Sequence, residues 1–277
     1  DYAGSRQVFG ASPFSCASML TKLKHRLLEQ NRLSDIHDKV KQGIRLGEQD
    51  ALRLYAAHDL NALGFLANIV RERKNGNKAF YILNRHINYS NICVLSCRFC
   101  SFAKKKRDAE AYEFTIEQIV ERARSALRLG ITEIHMVGGL HPSWKFEHYE
   151  QILHALKGVD ARLHLKAFTA IEILHLAWIG KLNVQGVLER LRAAGLDSLT
   201  GGGAEIFDQR VRDQICRGKE TAEEWLEVHR AWHRMNGRST CTMLYGHVET
   251  VADRVDHMRR LRELQDETKG FTAFVPL

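Results

Sequence analysis

FYILNRHINYSNICVLSCRFCSF, residues 80–102, carries an apolar, strand-like run into a loop that holds three thiols. Cys93, Cys97 and Cys100 stand there in a C-x3-C-x2-C spacing. Thiolates at that spacing can wrap one corner of an iron–sulfur cubane, since such clusters are held by cysteine thiolates. With only three local ligands, one iron would keep an open position at which a small molecule can bind and react. Zinc competes, but a structural zinc site wants four ligands, usually in two paired knuckles. No second C-x-x-C follows, and Cys16, Cys216 and Cys241 are scattered. A disulfide suits an oxidising compartment, whereas the surrounding residues suggest a cytoplasmic enzyme.

Outward from this loop, strand and helix patterns alternate. Strands are expected at 80–88, 133–137, 162–168, 196–199, 239–245 and 271–275. Helices are expected at 115–129, 146–157, 169–179, 184–194, 208–216, 221–236 and 250–266. Thr115 with Gln118 and Thr221 with Glu224 form capping boxes, and Asn183 caps the helix that Gly195 closes. Strands separated by helices pair in parallel. Six of them predict an α/β fold, a partial TIM-type (β/α)6 barrel.

Upstream, residues 1–18 are polar and lack a helical period, as in a flexible tail, and Met19 marks the expected natural start. Residues 19–79 form the expected N-terminal helical extension, with helices at 19–30, 35–46 and 48–57 and one capped by Asp59 that runs to about Lys74. Asn75-Gly76-Asn77 is a turn before the barrel of residues 80–277. The chain stops at Val275-Pro276-Leu277 without a closing helix, which predicts C-terminal truncation and an exposed edge strand.

Composition narrows the class. The chain has 277 residues, 44% hydrophobic and 27% charged, enough for one sizeable barrel. No run of about 18 apolar residues predicts a membrane span, and residues 1–20 lack a secretory apolar region. A net charge of +8 suits anionic partners, but no basic stripe with interleaved aromatics points to nucleic acid. The run Lys104–Arg107 reads first as a solvated loop; beside a cluster it could also dock an acidic electron donor.

In a parallel barrel the site lies in the loops after the strands. The thiol loop follows the first strand, Gly138-Gly139-Leu140-His141-Pro142 the second, Thr169–Glu172 the third, Gly201–Glu205 the fourth and Tyr245–Glu249 the fifth. Gly201–Gly203 is no nucleotide P-loop, because no Gly-Lys-Ser/Thr follows. His86, Asn88, His141, Lys166, Glu172 and His247 are polar at or near strand ends, where branched apolar residues are usual. Of these, His141, Lys166, Glu172 and His247 are the catalytic candidates.

NRHINYSNIC (84–93), CRFCSF (97–102), GGLHP (138–142), KAFTAIEI (166–173), GLDSLTGGGAEIF (195–207), MLYGHVET (243–250) and LRELQDETKGFTAF (261–274) together resemble the radical S-adenosylmethionine enzymes, and within them the aminofutalosine synthases. The resemblance implies a [4Fe-4S] cluster on Cys93, Cys97 and Cys100, with S-adenosylmethionine as co-substrate. It implies that Gly138 and Gly139 approach the methionine end, with Leu140 where an acidic residue often follows. Glu205 is the implied partner of the ribose or sulfonium region, and Thr200 stands where proline is expected. Gly246, Glu249 and Phe99 are the implied neighbours of adenine. The implied reaction adds the 5′-deoxyadenosyl radical to 3-[(1-carboxyvinyl)oxy]benzoate and releases bicarbonate, giving 6-amino-6-deoxyfutalosine for menaquinone. The implied partners are this carboxylate substrate and a low-potential donor such as flavodoxin or ferredoxin. Dehypoxanthine futalosine cyclase and the deazaflavin-cofactor synthase subunit share part of the pattern. Outside the class stands a zinc-binding, non-catalytic interaction module.

Overall fold

Alternation along the central strands separates two faces. The computed structural model describes residues 26–277, which divide into one unit ending at Phe80 and a second spanning Tyr81–Leu277. The expected tail, Met19 and Cys16 lie outside the described residues.

In the first unit, α1 (Ser34–Gln42), α2 (Glu48–Ala56) and α3 (Leu60–Asn75) close on Leu28, Leu33, Ile36, Val40, Ala62 and Leu66. Asp59 caps α3, its carboxylate accepting from the amides of Asn61 and Ala62. α1 ends four residues before the expected boundary of Leu46, because Gly43 turns into the left-handed region.

The second unit alternates strand and helix. Its elements are β1 (Asn84–His86), α4 (Ile116–Leu127), β2 (Glu133–Met136), α5 (Phe146–Val159), β3 (His164–Ala167), α6 (Ala170–Gly180), α7 (Val184–Ala194), β4 (Ser198–Leu199), α8 (Gln209–Ile215), α9 (Ala222–Arg234), β5 (Arg238–Met243), α10 (Val251–Thr268) and β6 (Phe271–Pro276). The six strands pair in parallel and in chain order, β1 to β6. This is the partial TIM-type barrel the alternation predicts. β1 has only three residues, since the apolar run Phe80–Leu83 stays exposed and unpaired as a strand.

Side chains alternate between the faces of a strand. Ile134, Met136, Leu165 and Ala167 point into the core, with Ile119 and Ala123 of α4 and Tyr149, Ile152 and Leu153 of α5. Residues 133, 135, 164 and 166 therefore line the opposite, inner wall. The helices begin where the caps dictate. Thr115–Gln118 and Thr221–Glu224 close as capping boxes, and so do Thr169–Glu172 and Thr250–Asp253. Among the described residues no helix is long and apolar enough to cross a membrane.

Candidate functional site

The thiol loop is clamped from two sides. Lys104 returns beside it, accepting from the Cys93 amide at 3.0 Å and donating to the Asn91 carbonyl at 2.9 Å. The Asn91 side chain accepts from the Tyr112 amide and donates to the Glu110 carbonyl. Across the loop, Gly139 N–H donates to the Ser90 carbonyl at 2.9 Å and Val94 N–H to the Leu140 carbonyl at 3.1 Å. Leu140 N–H reaches the Cys93 Sγ at 3.4 Å. The Arg98 amide is held by the Ile215 carbonyl at the end of α8. Lys105 Nζ closes the loop by donating to the carbonyls of Cys93, Val94 and Leu95 at 3.0, 3.1 and 2.8 Å. Lys104 pairs with Glu110. Lys105, Lys106 and Arg107 are exposed, as a solvated run requires, while the ammonium groups of Lys104 and Lys105 are engaged within the loop.

Gly138 and Gly139 are required by this clamp. A Cβ at Gly138 would lie 2.3 Å from the Tyr89 ring, and one at Gly139 would lie 2.2 Å from the Ile92 carbonyl oxygen. Their amides are also occupied, Gly138 N–H by Glu172 at 3.1 Å and Gly139 N–H by Ser90. Carbonyls, not amides, are what these glycines have to offer a ligand.

Glu172 is the N3 residue of α6. Its carboxylate accepts from the Tyr89 hydroxyl at 2.5 Å, the Gly138 amide, the Thr169 amide at 2.8 Å and the Thr169 hydroxyl at 2.7 Å. Burial pushes its pKa up against these hydrogen bonds. Phe168, just before the cap, is fully buried at φ 61°. That conformation is strained for an aromatic residue and is held by neighbours on both sides: its amide donates to the Met136 carbonyl, and its carbonyl accepts from Thr200.

His141 and His247 are similarly engaged. His141 is 1% exposed and accepts at Nδ1 from the Ser143 and Trp144 amides, so Nε2–H donates to Glu113 at 2.7 Å. Burial lowers its pKa, with Glu113 opposing. His247 accepts at Nδ1 from Val248 N–H and donates at Nε2 to the Leu244 carbonyl. Glu249 accepts from Gly246 N–H at 2.6 Å, His247 N–H at 2.9 Å and Arg254. Burial opposes its charge, yet the two amides and Arg254 bring its pKa down to about 2. Its carboxylate shapes the turn.

Glu205 does not begin a helix, because Asp208 caps α8. It is 6% exposed and held at 2.5 Å by Lys219, whose Nζ lies 5.8 Å from the Phe99 ring centroid. Burial disfavours the Lys219 charge, but Glu205 and Glu220 raise its pKa above the usual range. Arg212, buried, fixes the loop between β4 and α8 through the carbonyls of Gly203, Ala204, Ile206 and Glu220. Sequence reasoning missed both Arg212 and Lys219; neither sits at a strand end.

Of the four catalytic candidates, Lys166 alone has no side-chain hydrogen bond or ion pair within the described residues. It faces the inner wall in register with His135, which pairs with His86. His135 was also missed, although it falls between the apolar Ile134 and Met136.

The donor set fits a cubane. Cys93, Cys97 and Cys100 are half-buried free thiols on one braced loop, with Cys93 already receiving an N–H bond of the kind that tunes cluster potentials. Among the described residues no three Cys, His, Asp or Glu side chains converge to hold one metal ion. In a cubane each cysteine ligates its own iron.

The sequence profile of the Radical SAM superfamily matches residues 87–261. The chain is 44% identical over 252 residues to the aminodeoxyfutalosine synthase of Thermus thermophilus, covering 91% of this chain and 68% of that protein. It is 39% identical over 254 residues to the cyclic dehypoxanthine futalosine synthase of Streptomyces coelicolor, covering 90% and 64%. The chain thus spans about two thirds of the length of the curated relatives it matches. The crystal structure of methylornithine synthase shares the fold at a TM-score of 0.67 and 19% identity, covering 87% of this chain and 68% of that one. With its six parallel strands and its three-thiol loop, the chain belongs to the radical SAM superfamily, in the family of the aminodeoxyfutalosine synthases.

Proposed function

We propose that the protein is a radical SAM transferase forming 6-amino-6-deoxyfutalosine from S-adenosylmethionine and 3-[(1-carboxyvinyl)oxy]benzoate. The observation that carries this reading is the three-thiol loop clamped to Gly138-Gly139 at the C-terminal end of the sheet. The 44% identity to a synthase, against 39% to a cyclase, supports the choice between related reactions.

When bound, the cluster on Cys93, Cys97 and Cys100 and S-adenosylmethionine supply the 5′-deoxyadenosyl radical that adds to the enol-ether double bond. The chain's own residues bind and orient. The carbonyls of Gly138 and Gly139 suit the methionine amino group, a hydrogen-bond donor, because the amides beside them are occupied. Glu205, oriented by Lys219, stands ready for a ribose hydroxyl, with Phe99 alongside. The turn that Glu249 shapes from Gly246 to Val248 presents backbone groups to adenine. Holding the alkene within near-attack range is then the largest contribution the protein makes to rate. Exposed Lys106 and Arg107 offer an acidic low-potential donor, of the flavodoxin or ferredoxin kind, a place to dock near the thiol loop.

The test is anaerobic reconstitution with iron and sulfide, followed by mass spectrometry after addition of S-adenosylmethionine, reductant and the enol-ether benzoate. The expected product carries the adenosyl carbons. Release of 5′-deoxyadenosine without an adduct would contradict the reading and favour a cyclase-type reaction.

A further inference from the structure

The inner wall of β1, β2 and β3 carries a row of basic side chains that the proposed chemistry leaves unused. Register places His86 beside His135 and His135 beside Lys166. The His86 and His135 rings stack with centroids 4.4 Å apart and planes 13° from parallel. Their neighbours along the strands, Ile134, Met136, Leu165 and Ala167, are in the helix-facing core. The three basic groups therefore share the opposite face.

Nothing acidic answers them. Among the described residues no carboxylate makes an ion pair with His86, His135 or Lys166. Glu133 shares their face but sits two residues back along β2, roughly 7 Å at about 3.3 Å per residue, and accepts from the Asn84 amide group at 3.3 Å. Burial lowers the His135 pKa to about 4, and His86 and then Lys166 add to the effect. Further along the same face, Asn88 has a buried side-chain oxygen without a partner. A barrel interior is ordinarily filled with branched apolar side chains, whereas this wall carries a half-buried His135 and Lys166 beside an exposed His86. One ammonium and two imidazole rings, with no acid among them, offer an accessible anion a charge and directed N–H donors.

We propose that His86, His135 and Lys166 form a subsite for a carboxylate of the substrate on the inner wall of β1–β3. Its assignment to the benzoate end rests on the transferase reading given above; anion binding itself does not. His135 lies three residues before Gly138, roughly 10 Å along the strand direction. That spacing suits a molecule whose reacting alkene and anionic end are separated by one aromatic ring. Lys166 supplies a point charge, and the two imidazoles supply directed N–H donors.

The experiment is equilibrium binding of 3-hydroxybenzoate, with 3-methylphenol as the uncharged probe, to the reconstituted protein. Lys166→Met should weaken 3-hydroxybenzoate at least tenfold and His135→Gln several-fold, with 3-methylphenol unchanged. Lys166→Arg should retain most of the binding. Arg85→Gln, on β1 but lining the α4 side with Glu121 and Arg122, should retain all of it. If Lys166→Met does not fold, His135→Gln and Lys166→Arg carry the comparison. Undetectable 3-hydroxybenzoate binding by the wild type, or equal loss of both probes in the variants, would overturn the subsite. Retained selectivity in a wild type that forms no aminofutalosine would sink the transferase reading alone. Product formation with unaltered binding by the variants would sink the subsite alone.

Discussion

At the strand-end loops, Glu172, Glu249 and Glu205 are each held by protein donors: Glu172 by four, Glu249 by two amides and Arg254, Glu205 by Lys219. One layer down, on the inner wall, His86, His135 and Lys166 face one another with no acid between them. Both regions are polar, yet they do different work. Glu172 and Glu249, satisfied by the protein, fix the shape of the loops that would meet cluster and cofactor, while Lys219 orients Glu205. The inner-wall groups, exposed at His86 and half-buried at His135 and Lys166, have no acidic partner among the described residues and are free to meet a ligand.

The comparison can be broken at several points. The largest effect belongs to the thiols: Cys97→Ala should lower iron after reconstitution to background and abolish S-adenosylmethionine cleavage, read by iron analysis and chromatography. Next is Glu172→Ala, which strands the Tyr89 hydroxyl and the Gly138 and Thr169 amides. Leaving buried donors unmet should cost roughly 3–5 kcal/mol in denaturant unfolding. A loss below about 1 kcal/mol would show that the loop does not depend on this carboxylate. Lys166→Met on the inner wall should cost much less, a Tm change of a few degrees at most, while raising the KM for the enol-ether benzoate about tenfold. If stability fell as far as in Glu172→Ala, the distinction between the two regions would collapse.

Acid should act through buried histidines. Burial lowers His233 and His257 to about 4 and holds His229 well below the ordinary histidine value. These groups stay neutral in the folded state while the unfolded chain takes up protons below its ordinary value of about 6.5. Their contribution to stability is complete above 6.5 and is lost as pH falls from 6.5 towards 4. Thermal unfolding should show this decline, and His233→Gln should reduce its slope. The smallest effect is expected at the surface: Lys106→Glu with Arg107→Glu should slow reduction by an acidic donor several-fold at low salt and little at high salt.

Much of the frame is legible in the chain because helix ends are local. Asp59, Thr115, Asn183, Asp208 and Thr221 each satisfy amides two or three residues away, so spacing alone locates the helices. The thiol loop is equally local. What spacing cannot show is who else reaches those groups. Glu172 reads as a polar residue after a strand, but its partners Tyr89 and Gly138 lie 83 and 34 residues away. Lys105 reads as part of a basic run, and only the fold turns its ammonium onto the thiol-loop carbonyls. His135 gains its meaning from strand register, which joins it to His86 and Lys166 from separate segments.

The reduced, anaerobically reconstituted protein can be examined by electron paramagnetic resonance before and after S-adenosylmethionine is added. Three thiol ligands and a vacant iron predict a [4Fe-4S] signal that changes when S-adenosylmethionine binds. A protein that takes up no iron, or a cluster signal that S-adenosylmethionine leaves unaltered because a side chain fills the last position, would contradict the account.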